Sequence, residues 1–386
     1  MNATIKIAGA GPAGLTAAIC LAKQGYSVEL FEARETVGGR FIGDFQVIEN
    51  ASRSEDVRDL LKRIGISSNF YFQPLYQATF YDHQLRPTPV KSQLPYAYFV
   101  RRGTESDTLD QGLLQQALAA GAHISYRTRL KAEDADIVAT GPAVPDGLAK
   151  EMTFETTHAD TISVLFDMNL SPGGYSYLFV LDGKATFGCA ITRDFDRINL
   201  YFEEALLCFQ QIAPFTIARE RTAYSFMNFC LKQSAVSQDK LYIGEVAGFQ
   251  DYLFGLGIRY AITTGFAAAQ SLIHKDDYNR RWKEELGFGQ ETSLVNRYLY
   301  EQGGNAGLKT FIKRAGRGDL QNYLHKWHRP IFWKKLILPF VKWSLKEKKL
   351  CHHRIPEHWC RIKPVASSPA ILGPSKPGAD FKNQSG

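Results

Sequence analysis

Hydrophobic positions open the chain as two short runs of strand length separated by a stretch of helix-forming composition. Thr4-Ile5-Lys6-Ile7-Ala8 predicts a buried strand, Leu15 to Gln24 a helix ended by Gly25-Tyr26, and Ser27-Val28-Glu29-Leu30-Phe31 a second strand. A similar pattern returns at Asp136-Ile137-Val138-Ala139-Thr140-Gly141, a strand into a glycine turn. It returns again at Leu241-Tyr242-Ile243-Gly244-Glu245-Val246-Ala247-Gly248-Phe249, a strand into a turn, before a small-residue helix that opens at Gly255-Leu256-Gly257 and runs through Ser271. Between these segments the pattern changes to aromatic, β-prone alternation: Phe70-Tyr71-Phe72, Tyr76, Phe80-Tyr81, Tyr96-Ala97-Tyr98-Phe99, Tyr175 to Val180 and Thr186 to Ile191. These predict the strands of an inserted antiparallel sheet.

Composition agrees with a folded, enzyme-sized protein: 386 residues, 45% hydrophobic and 22% charged, enough for two or three domains and a sizeable core. Collagen-like, coiled-coil and mainly disordered states are excluded. Six scattered cysteines form no disulfide framework and predict a reducing, cytoplasmic setting. The apolar N-terminus has its glycines at phosphate-loop spacing, not at a signal-cleavage site. No run of about 18 apolar residues predicts a spanning helix. The net charge of +7 is uneven, because Lys309 to Lys363 carries 15 Lys/Arg against 3 Asp/Glu, a net +12 that leaves −5 for the rest.

The first loop carries the first chemistry. In Gly9-Ala10-Gly11-Pro12-Ala13-Gly14, Gly9 permits a tight turn, Gly11 lets a pyrophosphate approach the backbone, and Gly14 lets helix and strand pack closely. Glu32, at the end of the second strand, is placed to accept the ribose hydroxyls of an adenosine and to repel a 2′-phosphate. The residues that follow, Glu32-Ala33-Arg34-Glu35-Thr36-Val37-Gly38-Gly39-Arg40, resemble the extended fingerprint of FAD-binding two-dinucleotide-fold flavoproteins. There Gly39 would bring the backbone close a second time and Arg40 would offer a planar cation near phosphate or flavin.

The segment from Leu241 to Ala261 resembles the second FAD motif of the para-hydroxybenzoate hydroxylase-like superfamily, nearest to its geranylgeranyl reductase branch. Val47-Ile48-Glu49-Asn50 leading to a helix ending Arg63-Ile64-Gly65, and Arg102 followed by a helix from Thr108 to Ala122, resemble further elements of that family in the same order. The resemblance covers roughly residues 1–290. It implies FAD as cofactor, with Gly9, Gly11, Pro12, Ala13, Gly14, Glu32, Ala33, Gly39, Arg40, Arg102, Gly141, Gly244, Glu245, Gly255, Leu256 and Gly257 around it. Four departures stand out. Glu245 replaces the usual Asp, and Tyr252-Leu253-Phe254-Gly255-Leu256-Gly257 is more apolar than the family's Pro-Leu-Thr-Gly-Glu-Gly. Gly141-Pro142-Ala143 stands where the hydroxylases have Asp-Gly, and the reductase-type cysteine after the first glycine pair is missing.

The resemblance implies a fold of a Rossmann-type FAD domain (1–65, 100–150 and 235–280) with an inserted antiparallel-sheet substrate domain (66–99 and 151–234). A basic helical C-terminal cap (281–363) and a disordered tail (364–386) complete the expected organisation. The implied activity is reduction of carbon–carbon double bonds in an isoprenoid-like or other apolar substrate, lodged against the aromatic wall. An external reductant, a ferredoxin-type protein or NAD(P)H, would supply electrons. Candidate proton donors are Cys189, Tyr252 and Tyr260, while Arg259 and Asp251 are placed either to tune the flavin or to pair with each other. A flavin monooxygenase and a non-catalytic lipid- or prenyl-binding protein are the alternatives.

Trp327, Trp333, Trp343 and Trp359 are interleaved with lysines around Leu336-Ile337-Leu338-Pro339-Phe340-Val341, so 327–349 is a candidate interfacial segment for the inner face of a membrane. A basic helix packed on the flavin domain is the competing reading, and no nucleic acid is expected. Cys351-His352-His353, His358 and Cys360 match no familiar zinc spacing, and no metal is expected.

Overall fold

The computed structural model describes residues 4–347 except 143–145, 230, 232 and 288. The cluster Cys351 to Cys360, Trp359 and the tail 364–386 lie outside the described residues, as does the end of the span 327–349.

The N-terminal runs form strands Ile5–Ala8 and Val28–Phe31, paired in parallel from Ile5↔Val28 to Ala8↔Phe31, with the helix Pro12–Ala22 between them. Four more short strands complete a six-stranded sheet in the order 236–237, 240–242, 137–138, 5–8, 28–31, 123–125. All its pairings are parallel except that between 236–237 and 240–242. Helices Pro12–Ala22, Leu109–Ala119 and Ile258–His274 pack on it. The first and last of these cross closely because a side chain at Gly265 would run into the Ala13 carbonyl. The segment Leu241–Phe249 is a strand into a turn, as its sequence predicts, with the strand Lys240–Tyr242 at its start. Gly244 takes φ +63°, and the chain turns into a 3₁₀ segment, Gly244–Ala247.

The inserted part is a seven-stranded sheet, in the order 218–227, 147–155, 184–191, 175–181, 161–165, 77–81, 87–91. It is antiparallel apart from the join between 161–165 and 77–81, where an early hairpin is added in parallel. The helix Ile198–Ile212 covers one face through Tyr201, Phe202 and Phe209, packed on Phe187 and Cys189. The aromatic stretches 70–72 and 96–99 do not enter this sheet. Ala97–Arg101 pairs on both sides, with Phe45–Glu49 and Phe72–Leu75, and so forms a separate three-stranded sheet. That small sheet meets the large one through side chains, Phe45 and Phe99 against Tyr177 and Phe179.

Downstream of the last Rossmann helix come Tyr278–Leu286, a long helix Gly289–Ala315 broken at Gly304, Leu320–His328 and Phe332–Glu347. None of the described helices is long and apolar enough to cross a membrane.

Candidate functional site

The first loop is shaped as the glycine spacing requires. Gly9 has φ +101°, and a side chain there would run into the Ala139 carbonyl; one at Gly14 would run into that of Gly9. At Gly11 nothing lies within 4 Å of where a side chain would start, so the backbone is open to a partner from outside. The helix that begins at Pro12 has no side-chain cap, which leaves its first amides available to an anion. Glu32 is held at the rim, accepting the Ala10 amide at 3.2 Å and the Arg34 amide at 3.0 Å.

The second motif arrives beside the first. A Cβ at Gly244 would come 2.9 Å from that of Ala13, and the Gly244 amide donates to Thr264 Oγ1 at 3.0 Å. The loop Asp251 to Gly257 closes on itself through Asp251 N–H to Leu256 O and Gly255 N–H to Asp251 O. The helix from Ile258 then opens at Gly257, again without a side-chain cap. Gly255, at φ +72°, packs on the Met227 thioether, so the end of the strand Ala218–Met227 rests on this loop.

Glu245 lies between two guanidiniums. Arg40 NH2 is 4.0 Å from Glu245 Oε2, and Arg102 also acts on it. Burial raises the Glu245 pKa, opposed by Arg40 and Arg102. Arg102 is itself held by Asp110 through two hydrogen bonds of 2.8 and 2.9 Å, with a third to Gln46, and it stacks on Phe41. The buried Arg40 Nε has no hydrogen-bond partner among the described residues, and Gly141, at φ +81°, lies beside its guanidinium. Open glycine backbone, two uncapped helix starts, a rim carboxylate and an unsatisfied guanidinium nitrogen fit a dinucleotide with its diphosphate and ribose.

The candidate donors are not gathered at this place. Cys189 is fully buried on the side of the large sheet covered by Ile198–Ile212, 3.6 Å from Ser171 Oγ, and burial pushes its thiol pKa up. Tyr252 is packed among Phe229, Leu294, Val295 and Leu338, and Tyr260 belongs to the Rossmann core. Arg259 and Asp251 do not pair with each other. Arg259 faces Glu49 and donates to the Glu55 carbonyl, whereas Asp251 accepts from Ser293 and lies 3.5 Å from His328 Nε2.

The face of the large sheet opposite that helix, where the three-stranded sheet packs, carries a group that local sequence did not single out. Glu151, Gly188 and Tyr177 are register partners on three adjacent strands. A side chain at Gly188 would overlap the Tyr177 ring; without one, the phenol crosses the middle strand and donates to Glu151 Oε1 at 2.7 Å. Ser225, two residues before Met227, donates to Glu151 Oε2 at 2.7 Å. Asp44, in the turn before the strand Phe45–Glu49, is nearly fully buried and accepts from the Ile42 amide and from Gln46. Burial and then the Glu151 charge push Asp44 up to about 7, against the pull of the Ile42 amide and Arg102. The one visible signal was a charge in mid-strand, Glu151 within the otherwise largely buried Gly147–Glu155. Its partners come from segments more than 25 residues away and carry no shared spacing.

Residues 7–43 match the family model described as an NAD(P)-binding Rossmann-like domain. Short similarities link the chain to curated proteins, among them a thiamine thiazole synthase of Thermotoga maritima, 40% identical over 62 residues, 16% of this chain and 25% of that protein. The chain spans 18% to 28% of the length of the curated relatives it matches. Architecture extends further. A geranylgeranyl bacteriochlorophyll reductase-like protein from Thermoplasma acidophilum superposes with a TM-score of 0.65 at 16% identity, over 90% of this chain and 98% of that one. A flavin-dependent halogenase gives 0.53 at 17% identity, over 89% and 70%. The chain therefore has, over nine-tenths of its length, the fold of the FAD-type flavoprotein oxidoreductases, with a Rossmann-like dinucleotide-binding domain at its N-terminus.

Proposed function

We propose that this chain is an FAD-dependent reductase of carbon–carbon double bonds in an apolar, isoprenoid-like substrate. Gly9, Gly11, Gly14 and the helix start at Pro12 would hold the diphosphate and Glu32 the ribose. Glu245 and the Gly255-Leu256-Gly257 helix start would hold the flavin end. FAD, when bound, supplies two-electron hydride chemistry, replenished by a ferredoxin-type protein or a reduced nicotinamide.

The observation that carries the reading is the buried Asp44 carboxyl at the seam of the two sheets, set beside Glu151. Saturating an alkene requires a proton as well as a hydride, and burial together with the Glu151 charge raises Asp44 to about 7, a value suited to giving one up near neutral pH. Tyr177 and Ser225 hold Glu151 in place beside it, and the charge of Glu151 keeps the Asp44 proton bound. The aromatic cluster of Tyr175, Tyr177, Phe179 and Phe99 gives the seam an apolar character in keeping with an apolar substrate. Fold kinship with a reductase-like protein supports the same reading.

The test is anaerobic. Protein reduced with dithionite is mixed with unsaturated isoprenoid lipids, and the oxidised-flavin absorbance and the saturated product are followed. Fast reoxidation with saturated product is expected. Reoxidation by oxygen alone, with a hydroxylated product, would replace this reading with a monooxygenase.

A further inference from the structure

The helix Phe332–Glu347 is apolar on two opposite sides. Its inner side buries Leu338 and Val341 against Leu294, Val295, Phe229 and Tyr252, which is sufficient to dock it on the protein. At 3.6 residues per turn, Phe332, Leu336, Pro339 and Trp343 fall on the opposite side, with Trp333 and Phe340 at one margin and Lys335 and Lys342 at the other. This outer side stays in solvent: Phe332 is 73% exposed, Leu336 62%, Trp343 57% and Phe340 52%. A contiguous strip of large apolar side chains is what a soluble surface avoids.

Charge selects the occupant. From Leu320 to Lys346 there are six Lys/Arg, namely Lys326, Arg329, Lys334, Lys335, Lys342 and Lys346, and no Asp or Glu. Lys326, Arg329 and Lys335 are exposed, the first two just ahead of the helix in sequence and Lys335 on it. In a second copy docked face to face, these like charges would meet each other. Against anionic headgroups they are matched, and a single convex helix face offers a partner protein no groove. Sixteen residues with an internal proline are too few to span a bilayer but suit a helix lying in its plane.

We propose that this face rests on an anionic lipid bilayer, with Phe332, Leu336 and Trp343 at the headgroup–acyl boundary and Lys326, Arg329 and Lys335 against the headgroups. The surface stands independently of the reaction proposed above. It also connects to the candidate site, because the inner side of the same helix packs on Tyr252, in the loop of the second glycine motif.

Flotation of the full chain with vesicles tests the assignment, using phosphatidylcholine alone or mixed with phosphatidylglycerol, and tryptophan emission as a second readout. Binding to the anionic vesicles with a blue shift is expected, falling at least tenfold on zwitterionic vesicles or at high salt. Lys326→Gln and Arg329→Gln should each weaken it about fivefold. The exposed-face double variant Leu336→Glu/Trp343→Glu should abolish it with circular dichroism and melting temperature unchanged. No flotation on anionic vesicles, or flotation unaltered in the double variant, overturns the proposal. So does sedimentation showing a dimer in the wild type and a monomer in the double variant, which would make a second copy the occupant.

Discussion

Asp44 is decided by its neighbours. In water its carboxyl would be ionised well below neutral pH; in the seam, burial and the charge of Glu151 raise it to about 7. Asp44→Asn should slow lipid-driven reoxidation about 100-fold while flavin content and spectrum stay unchanged, as stopped-flow absorbance will show. The wild-type rate should fall as pH rises through 7. Stability also depends on the Asp44 proton. Between its unfolded value of 3.8 and about 7 the folded state binds the extra proton, so stability declines with rising pH across that window. Melting curves should show part of that decline missing in Asp44→Asn. Gly11 makes a different residue-scale case. Its surroundings are open and its φ is −78°, so Gly11→Ala should keep the melting temperature of the flavin-free protein yet lose most bound flavin, read as the flavin-to-protein absorbance ratio.

At the scale of elements, three strands cooperate to hold one carboxylate. The register Tyr177↔Gly188↔Glu151 lets a phenol span a strand only because the middle position has no side chain. Gly188→Ala should cost about 1–3 kcal/mol in denaturant unfolding and release Tyr177 from Glu151. Turnover should fall with it, whereas a purely structural glycine would change stability alone. The glycine loops of the nucleotide half were legible because their requirements are local: a tight turn, a close crossing, and an acid at a strand end within one βαβ unit. The Asp44–Glu151 pair was not legible, since residues 107 positions apart meet only when the three-stranded sheet is laid on the seven-stranded one. The aromatic runs predicted strands correctly in kind but could not tell which sheet each would join, because alternation specifies a face and not a partner.

At the scale of the molecule, the C-terminal helices are tied to the nucleotide half by a buried contact. Asp251, in the second-motif loop, accepts from Ser293 and faces His328 at 3.5 Å, at the end of the helix Leu320–His328. The histidine, despite its burial, has its pKa raised by Asp251, and that of Asp251 is lowered chiefly by His328. The raised His328 pKa contributes stability in full below its unfolded value of 6.5, and that contribution is lost as pH rises from there through the raised folded value. The lowered Asp251 pKa stabilises above 3.8 and fails on acidification. His328→Asn should therefore flatten the alkaline limb of a melting-temperature profile and cost about 3 kcal/mol near neutrality, by leaving a buried carboxylate unpaired. By itself the sequence determined the nucleotide motifs, the order of the elements, the fold class and the basic, tryptophan-rich character of the C-terminal span, because each rests on spacing within one segment. Only the tertiary structure decided that Asp44 meets Glu151, that Asp251 faces His328 and not Arg259, and which side of the Phe332–Glu347 helix stays exposed. Those depend on side chains from distant segments sharing one low-dielectric space, where burial and neighbouring charge set what each group can do.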